Sequence, residues 1–204
     1  VLAQLPDNTE IKPYVDRVAS NTRKAITLIK RIQMFTENAA AEHELIHLGE
    51  LVSQVAGEIS SGMGEECVIH IDEVDESYPV TAIPQLLQDS LMSLAQNAFD
   101  ALPNGRGHVH IRVRCEQPWT STDEDVVLGD IEGDTCTVLE VQDSGEGISP
   151  DVLDRIFDPF FTTRLRAQGL GLTPVVGLIH SCRVALQLPS KEGKGTTVRL
   201  CFEE

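Results

Sequence analysis

The stretch from Asp143 to Leu172 constrains the fold of this chain more than any other part of its sequence. It contains the segments DSGEGI, FDPFFTTR and GLGL, which supply a carboxylate beside two glycines, an aromatic hinge and a second glycine pair ahead of a helix. Glycines let a backbone turn sharply and approach a flat ring, and a glycine turn that opens a helix can hold phosphate on free N–H groups. The stretch therefore predicts a site for a purine nucleotide.

Hydrophobic periodicity predicts an α+β fold, in which helices cover one face of a mixed sheet. Helices are expected over residues 48–61 and 84–102, and residues 116–134 are expected to form an acidic loop. The alternating segments predict strands at residues 67–72, 108–114, 135–141, 184–188 and 196–202, of which the last two would form an antiparallel hairpin.

A long helical pattern precedes this region, running from about Glu10 to Ala41. It carries a heptad seam formed by Val15, Val18, Thr22, Ala25, Ile29 and Ile32. Such a seam must be buried against another helix, outside the main domain or on a second subunit, unless the helix lies on its own domain. We therefore expect one region at residues 1–45 and a main domain at residues 46–204.

The amino-acid composition limits the classes of partner and cofactor that the chain is expected to bind. The formal net charge of −16 disfavours nucleic acid, whose phosphates attract basic surfaces. The apolar runs are far short of a membrane span, and no initiating methionine is present, so we expect a piece of a longer polypeptide with no membrane contact of its own. The five cysteines are scattered without a CxxC pair, which predicts reduced thiols rather than a zinc site.

Two polar side chains are candidates for contact with the nucleotide. Asp143 follows an apolar strand and can accept a hydrogen bond from the amino group of adenine, whereas guanine O6 would repel it; an ordinary turn is the alternative. Asn97 lies on a helix with Ser93 and Asp100 on neighbouring turns. Its amide oxygen suits Mg²⁺, and a backbone-bonded asparagine near a helix end is the alternative.

The phosphates have their own candidate residues. The GLGL turn precedes Pro174, which fits a first helical turn whose N–H groups can hold phosphate. Thr162, Thr163, Arg164 and Arg166 supply hydroxyl and cationic contacts in a segment with few apolar anchors, which predicts a lid. The segment GKGT at residues 193–196 could be a hairpin turn and nothing more.

Taken in order, these segments resemble the catalytic, ATP-binding domain of bacterial sensor histidine kinases, within the wider group that includes gyrase, Hsp90 and MutL. LMSLAQNAFDAL resembles the N box, VQDSGEGI the G1 box, FDPFFTTR the F box, GLGL the G2 box and GKGTT the last glycine motif. The FDPFFTT form resembles the nitrogen-regulatory branch. The resemblance covers roughly residues 46–203 and implies a Bergerat-type fold, a two-layer sandwich of helices on a mixed sheet.

The resemblance implies ATP and Mg²⁺ as cofactors, with Asn97 as the metal ligand and Asp143 as the adenine acceptor. The other residues that it assigns to ATP binding are Asp100, Gly145, Gly147, Ile148, Phe160, Thr162, Thr163, Arg164, Gly169, Leu170, Gly171, Leu172 and Thr196. The N-terminal helix then resembles the second helix of the dimerisation and phosphotransfer hairpin. This implies a homodimer through that helix, a response regulator receiver domain as partner, and a cytoplasmic location, with or without a membrane anchor elsewhere in the full-length protein.

The chain departs from the family pattern at several points. No histidine lies in the HExxNP-like context of a phosphoacceptor, so the chain should bind ATP without a histidine of its own to phosphorylate. Ser93 stands where the N box usually has its first asparagine and cannot act as a general base for water, so fast hydrolysis is not expected. The segment between Thr163 and Gly169 is shorter than usual. A non-catalytic nucleotide-binding module or dimeric scaffold is the alternative, and an anti-sigma-type serine kinase is a more remote one.

Overall fold

A computed structural model of the chain describes residues 12, 14–15, 17–18, 21–22, 41–60, 67–74, 79–118, 126–131, 133–158, 161–163 and 169–203. The chain divides into two compact units, residues 1–40 and 41–204. All described residues of the first unit are helical, as the heptad pattern predicts; the rest of the expected helix lies outside the described residues. On this helix the seam residue Val18 is 64% exposed.

The described part of the second unit contains a six-stranded sheet and a separate two-stranded sheet. The strands are β1 (Glu44–His47), β2 (Cys67–Val74), β3 (Pro79–Ala82), β4 (Gly107–Glu116), β5 (Val126–Leu128), β6 (Cys136–Asp143), β7 (Val184–Leu188) and β8 (Thr197–Glu203). The large sheet has the order β2-β4-β6-β8-β7-β5, and of its described strand pairs only β2 and β4 run parallel. The predicted mixed sheet is therefore confirmed.

Among the described residues of this unit, a short 3-10 helix (Pro103–Gly105) and four α-helices accompany the strands: α1 (Leu48–Ser60), α2 (Pro84–Ala101), α3 (Pro150–Leu153) and α4 (Thr173–Ser181). Helix α2 is central, because it packs against α1, α4 and β6. It begins at a proline, which lacks the N–H that a first helical turn leaves unbonded. Its apolar face is buried through Leu87, Leu91, Leu94, Ala95 and Ala98. This packing holds α2 beside the end of β6.

Strand β4 shows why the sheet has two different faces. Val109, Ile111 and Val113 are at most 1% exposed, whereas His110 and Arg112 between them are partly exposed. Side chains alternate across a strand, so these three point to the core and the histidines and arginines point to the opposite face. The predicted alternation in β4 is confirmed.

Three short strands were not predicted. β5 lies within the expected acidic loop, and β1 pairs with β3 in a register that joins Glu44 to Ala82. Strand β1 crosses the expected boundary at residue 46 and belongs with the second unit, which begins at residue 41. The assignment of residues 1–45 to a dimerisation region stays a prediction.

The expectation of five reduced cysteines is wrong for one pair. Cys136 on β6 and Cys201 on β8 form a disulfide, with Cα atoms 5.9 Å apart. They lie on neighbouring antiparallel strands, where sequence spacing gives no sign of their proximity. Cys67, Cys115 and Cys182 are not part of this disulfide.

No helix among the described residues has the length and apolar character that crossing a membrane requires.

Candidate nucleotide site

The site is organised around Asp143, the last residue of β6. Its side chain is on the core face of the sheet, because Asp143 pairs with the inward-facing Val109 of β4. The residue is 7% exposed. A carboxylate so far withdrawn from water needs hydrogen-bond donors, since an unsatisfied buried charge is costly.

Two backbone amides supply such donors. The N–H of Gly145 donates to Oδ1 of Asp143 at 2.8 Å, and the N–H of Thr196 donates to the same oxygen at 3.3 Å. The N–H of Asp143 in turn donates to the carbonyl of Thr196 at 2.9 Å. The G1 segment and the last glycine motif are thus bonded to each other through the carboxylate.

The GKGT segment is a hairpin turn that also docks on the G1 segment. Gly193 donates its N–H to the carbonyl of Glu146 at 2.6 Å. Gly195 has φ +86, and a Cβ there would overlap the carbonyl oxygen of Asp143. Gly147 has φ +68, and a Cβ there would overlap the carbonyl of Lys191. Glycine is required at both positions because the two backbones touch and their φ values are positive.

The end of helix α2 reaches the same turn. Glu146 donates its N–H to the carbonyl of Ala101 at 3.2 Å. A Cβ on Gly145 would lie 2.5 Å from that carbonyl oxygen and 2.7 Å from Oδ1 of Asp143. Asn97 precedes Ala101 by one helical turn, so the two share a face of α2. The helix face that carries Asn97 therefore ends beside the turn that holds Asp143.

The G2 segment lies against the same helix face. A Cβ on Gly171 would come within 2.9 Å of Oδ1 of Asn97 and 3.2 Å of its Nδ2. The hydroxyl of Ser93, one turn earlier, donates to the carbonyl of Gly171. Asp100 is exposed on α2 and accepts a bond from Gln96 at 2.8 Å. Residues 93, 97 and 171 are thus brought together, and Asp100 lies at their solvent side.

A turn and a helix continue from Gly171. Gly169 has φ +66, and Thr173 donates its N–H to the carbonyl of Leu170 at 3.0 Å. Leu172 is the N-terminal cap of α4, and its carbonyl accepts from Val176 at 3.0 Å. The predicted glycine turn leading into a helix is confirmed, and α4 packs against α2.

The F box is described in part. Arg155 lies over the ring of Phe161, with 4.3 Å between Cζ and the ring centroid. Thr162 and Thr163 follow and are exposed. Two residues expected to contact ATP, Phe160 and Arg164, lie outside the described residues, as does Arg166.

Sequence reasoning missed two serines that hold the site together. Ser190 accepts the N–H of Ile148 at 2.9 Å and contacts the hydroxyl of Thr196 at 2.9 Å. Ser144 accepts the N–H of His108 at 2.9 Å and donates its own N–H to the carbonyl of that residue at 3.1 Å. The signal for Ser190 was a hydroxyl residue directly after an apolar strand and a proline, which is easily taken for an ordinary loop residue.

The opposite face of the sheet carries a separate charge cluster. Glu140 on β6 is 3% exposed and accepts bonds from Arg112 at 2.6 Å, Arg199 at 2.8 Å and Arg114 at 3.0 Å. Burial raises the pKa of Glu140, but the hydrogen bonds from the three guanidinium groups outweigh it and lower the pKa to about 2. These ion pairs connect β4, β6 and β8 on the face of the sheet opposite Asp143.

Comparison with known proteins identifies the relatives of the chain. Sensor kinase CckA of Brucella abortus (strain 2308) is 30% identical over 190 residues, which are 92% of this chain and 20% of that protein. Sensor histidine kinase ZraS of Escherichia coli (strain K12) is 28% identical over 185 residues, which are 91% of this chain and 35% of that protein. The chain thus spans only about a fifth to a third of the length of such relatives.

Solved structures show the same fold. The catalytic domain of histidine kinase ThkA superposes with a TM-score of 0.61 at 21% identity, over 79% of this chain and 95% of that one. Full-length ShkA, crystallised in complex with AMPPNP, superposes with a TM-score of 0.61 at 20% identity, over 98% of this chain and 40% of that one. At these identities the likeness concerns the fold, and the predicted α+β architecture with helices on a mixed sheet is confirmed.

The family model of histidine kinase-, DNA gyrase B- and HSP90-like ATPases matches residues 82–204, which is more than half of the chain. The matched region includes α2, the turn after β6, the G2 turn and the last hairpin. The resemblance to sensor histidine kinases is confirmed, while the nitrogen-regulatory branch stays a prediction. The chain belongs to the family of histidine kinase-, DNA gyrase B- and HSP90-like ATPases.

Proposed function

We propose that this chain is the ATP-binding kinase core of a two-component sensor histidine kinase. It binds Mg-ATP and positions the γ-phosphate for transfer to a histidine that lies outside these residues. The phosphoryl group then passes to an aspartate on a response regulator receiver domain. One observation carries the proposal: in a member of this ATPase family, two backbone amides orient the carboxylate of Asp143 at the end of β6.

Asp143 selects the base in this proposal. Its carboxylate is a hydrogen-bond acceptor when ionised and suits the amino group of adenine. The absence of a side chain at Gly145 and Gly147 lets the carbonyls of Ala101 and Lys191 pack against the turn, which fixes the backbone that carries Asp143. The short contacts between the G1 segment and the GKGT turn keep this surface rigid, which reduces the entropy lost on binding.

Asn97 is the proposed protein ligand of Mg²⁺. Among the described residues no group of three or more histidine, cysteine, aspartate or glutamate side chains could hold a metal ion by itself. A single amide oxygen fits Mg²⁺ that arrives with the triphosphate, because this ion keeps several waters and binds through few protein groups. When bound, Mg²⁺ neutralises negative charge on the phosphates.

The backbone amides at the start of α4 are the proposed phosphate contacts, together with Thr162, Thr163 and Arg164 in the lid. Phosphoryl transfer needs positioning and charge neutralisation more than covalent chemistry by the protein. Ser93 is engaged with the carbonyl of Gly171 and has no basic group to activate water. We therefore expect the rate of phosphoryl transfer to a histidine on a separately supplied hairpin to exceed the rate of ATP hydrolysis.

The N-terminal region supplies the proposed dimer contact. Val18 belongs to the apolar seam and is 64% exposed in a single chain. A partner helix from a second copy would cover it, as in a helical bundle with a heptad core. The location we propose is cytoplasmic, where a receiver domain can meet the kinase.

Calorimetric titration with Mg-ATP tests nucleotide binding, and radiolabelled ATP tests transfer to a separately supplied phosphoacceptor hairpin with an HExxNP-like segment. We expect saturable binding and label on histidine. Asn97→Ala should abolish the labelling, whereas Gln54→Ala, at an exposed position of α1, should not affect it. Labelling of the hairpin at the same rate by the Asn97→Ala variant would contradict the assignment of this residue.

A non-catalytic scaffold is the second candidate, and one observation favours it. The carbonyl of Gly171 is bonded to Ser93, and a Cβ on Gly171 would lie only 2.9 Å from Oδ1 of Asn97, so the G2 turn lies against the proposed metal ligand. If that arrangement is permanent, Mg-ATP cannot reach Asn97. Absence of both heat and thermal stabilisation at millimolar Mg-ATP would favour the scaffold.

A further inference from the structure

Ser190 lies where two parts of the proposed nucleotide site meet, the G1 segment and the GKGT turn. Its Oγ accepts the N–H of Ile148 in the G1 segment at 2.9 Å. The same oxygen lies 3.2 Å from the carbonyl of Gly195 and 2.9 Å from Oγ1 of Thr196, both in the GKGT turn. Ser190 and Thr196 also form an antiparallel backbone bridge. Each of these partners is adjacent to, or part of, the surface assigned to the base.

The hydroxyl protons of Ser190 and Thr196 can be placed by counting donors. Ser190 has one proton, and because it already accepts from Ile148, that proton can go to Gly195 or to Thr196. If Ser190 donates its proton to the carbonyl of Gly195, the hydroxyl of Thr196 donates its own proton to Ser190. Together with the bond from Ile148, three hydrogen bonds then form around the Ser190 oxygen. If the Ser190 proton goes to Thr196, only two form, and the carbonyl of Gly195 retains only a bond of 3.4 Å from Lys191. The first arrangement satisfies more polar groups.

This arrangement fixes the chemical character of Thr196. Its hydroxyl proton is used on Ser190, so the lone pairs of Oγ1 remain and the group acts toward a ligand as an acceptor. Its N–H is directed at Oδ1 of Asp143. The side chains of Thr196 and Asp143 then both present acceptors to the base.

We propose that Ser190 is a positioning and specificity residue that holds the hydroxyl of Thr196 as an acceptor beside Asp143, so that the pair selects a purine with an amino group at carbon 6 over a 6-oxo purine. The inference rests on the proposed function, because it concerns which purine bases the proposed nucleotide site excludes. An amino group at carbon 6 can donate to the carboxylate of Asp143 and to Oγ1 of Thr196. An oxo group has no proton to donate and would place a third acceptor against these two.

The test compares binding of Mg-ATP with that of Mg-inosine triphosphate, which carries an oxo group at carbon 6. The whole chain is titrated by calorimetry with Ser190→Ala, Ser190→Thr and the control Ser90→Ala. Ser90 is fully buried, and its hydroxyl bonds only within α2, to the carbonyl of Leu86 at 2.6 Å. We expect Ser190→Ala to lower the preference for ATP about fivefold to tenfold, the scale of one hydrogen bond. Ser190→Thr and Ser90→Ala should keep it.

Equal weakening of both nucleotides by Ser190→Ala would overturn the inference, because a purely structural serine changes affinity without changing the ratio. Should Ser190→Ala fail to fold, Ser190→Cys preserves the size of the side chain with a much weaker donor, and the same ratio decides. If the unmodified chain binds neither nucleotide, the proposed function fails as well. If it prefers ATP and the ratio is insensitive to Ser190, only the present inference fails.

Discussion

Asp143 and Thr196 are bonded to each other twice, although 53 positions separate them in the chain. The N–H of Asp143 donates to the carbonyl of Thr196 at 2.9 Å, and the N–H of Thr196 donates to the carboxylate of Asp143 at 3.3 Å. The first bond extends the pairing of β6 with β8 beyond the end of the sheet. The second sets the direction of the carboxylate, so the sheet itself positions the group that we assign to the base.

Asp143→Asn should weaken Mg-ATP binding about tenfold to a hundredfold. An amide keeps an oxygen for the N–H groups of Gly145 and Thr196, but its nitrogen is a donor and would face the amino group of adenine. The lost bond involves a charged acceptor, which is typically worth about 1.5–3 kcal/mol. Calorimetric titration measures the change, with the exposed Asp130→Asn as control. An unchanged affinity would show that the base does not bind at Asp143.

Gly195→Ala should destabilise the domain by more than about 2 kcal/mol, because a Cβ at φ +86 would overlap the carbonyl of Asp143. Gly193→Ala is a matched control in the same turn. It has φ +76, but no atom lies within 4 Å of the added Cβ, so only the conformational strain of about 1 kcal/mol remains. Urea unfolding of the two variants gives both values. Equal losses would mean that the two turns do not touch as described.

The sequence was most informative where the pattern is long or the chemistry is local. Helix α2 and strands β4, β6 and β8 carry enough periodic residues to be predicted within a few positions. The glycine motifs were also recognisable, because a turn with a positive φ demands glycine wherever the partner strand lies. Both kinds of signal depend on neighbours in sequence.

The remaining features depend on contacts between distant residues. Strands β1 and β3 have only four residues each, too few for a clear alternation, and are defined by their pairing with each other. Ser190 gains its importance from Ile148, 42 positions away. Arg199 reaches Glu140 from 59 positions away, so nothing in the local sequence marks that carboxylate as buried. Such contacts follow from the sheet order, which periodicity does not determine.

The disulfide between Cys136 and Cys201 should contribute roughly 4 kcal/mol to stability by limiting the unfolded chain, since the bridge spans 65 positions. Unfolding under non-reducing conditions should expose three reactive thiols, and five after reduction, because Cys67, Cys115 and Cys182 are not part of the disulfide. Thiol titration in denaturant counts them. Five thiols without reductant would contradict the bridge. The melting temperature should fall on reduction, and Cys67→Ser should leave this fall unchanged.

Glu140 should make the free energy of unfolding of the domain depend on pH below about 4.5. Its pKa is about 2 in the folded protein and 4.5 ordinarily, so the folded state holds the ionised form more tightly. The contribution is complete above about pH 4.5 and is lost as the pH falls toward 2. By this linkage it amounts to up to about 3 kcal/mol.

Glu140→Gln removes this contribution and leaves the side chains of Arg112, Arg114 and Arg199 without their shared anion. We expect a loss of about 3–5 kcal/mol at pH 7, the usual result of breaking a buried ion pair. Urea unfolding at several pH values should show the difference from the unmodified chain shrinking steadily between pH 4.5 and about 2. Glu203→Gln is the control, because its partner Arg183 is 83% exposed and such pairs contribute at most about 1 kcal/mol. A difference that stays constant across this pH range would mean that the three guanidinium groups do not hold Glu140 ionised, and that packing alone explains the loss.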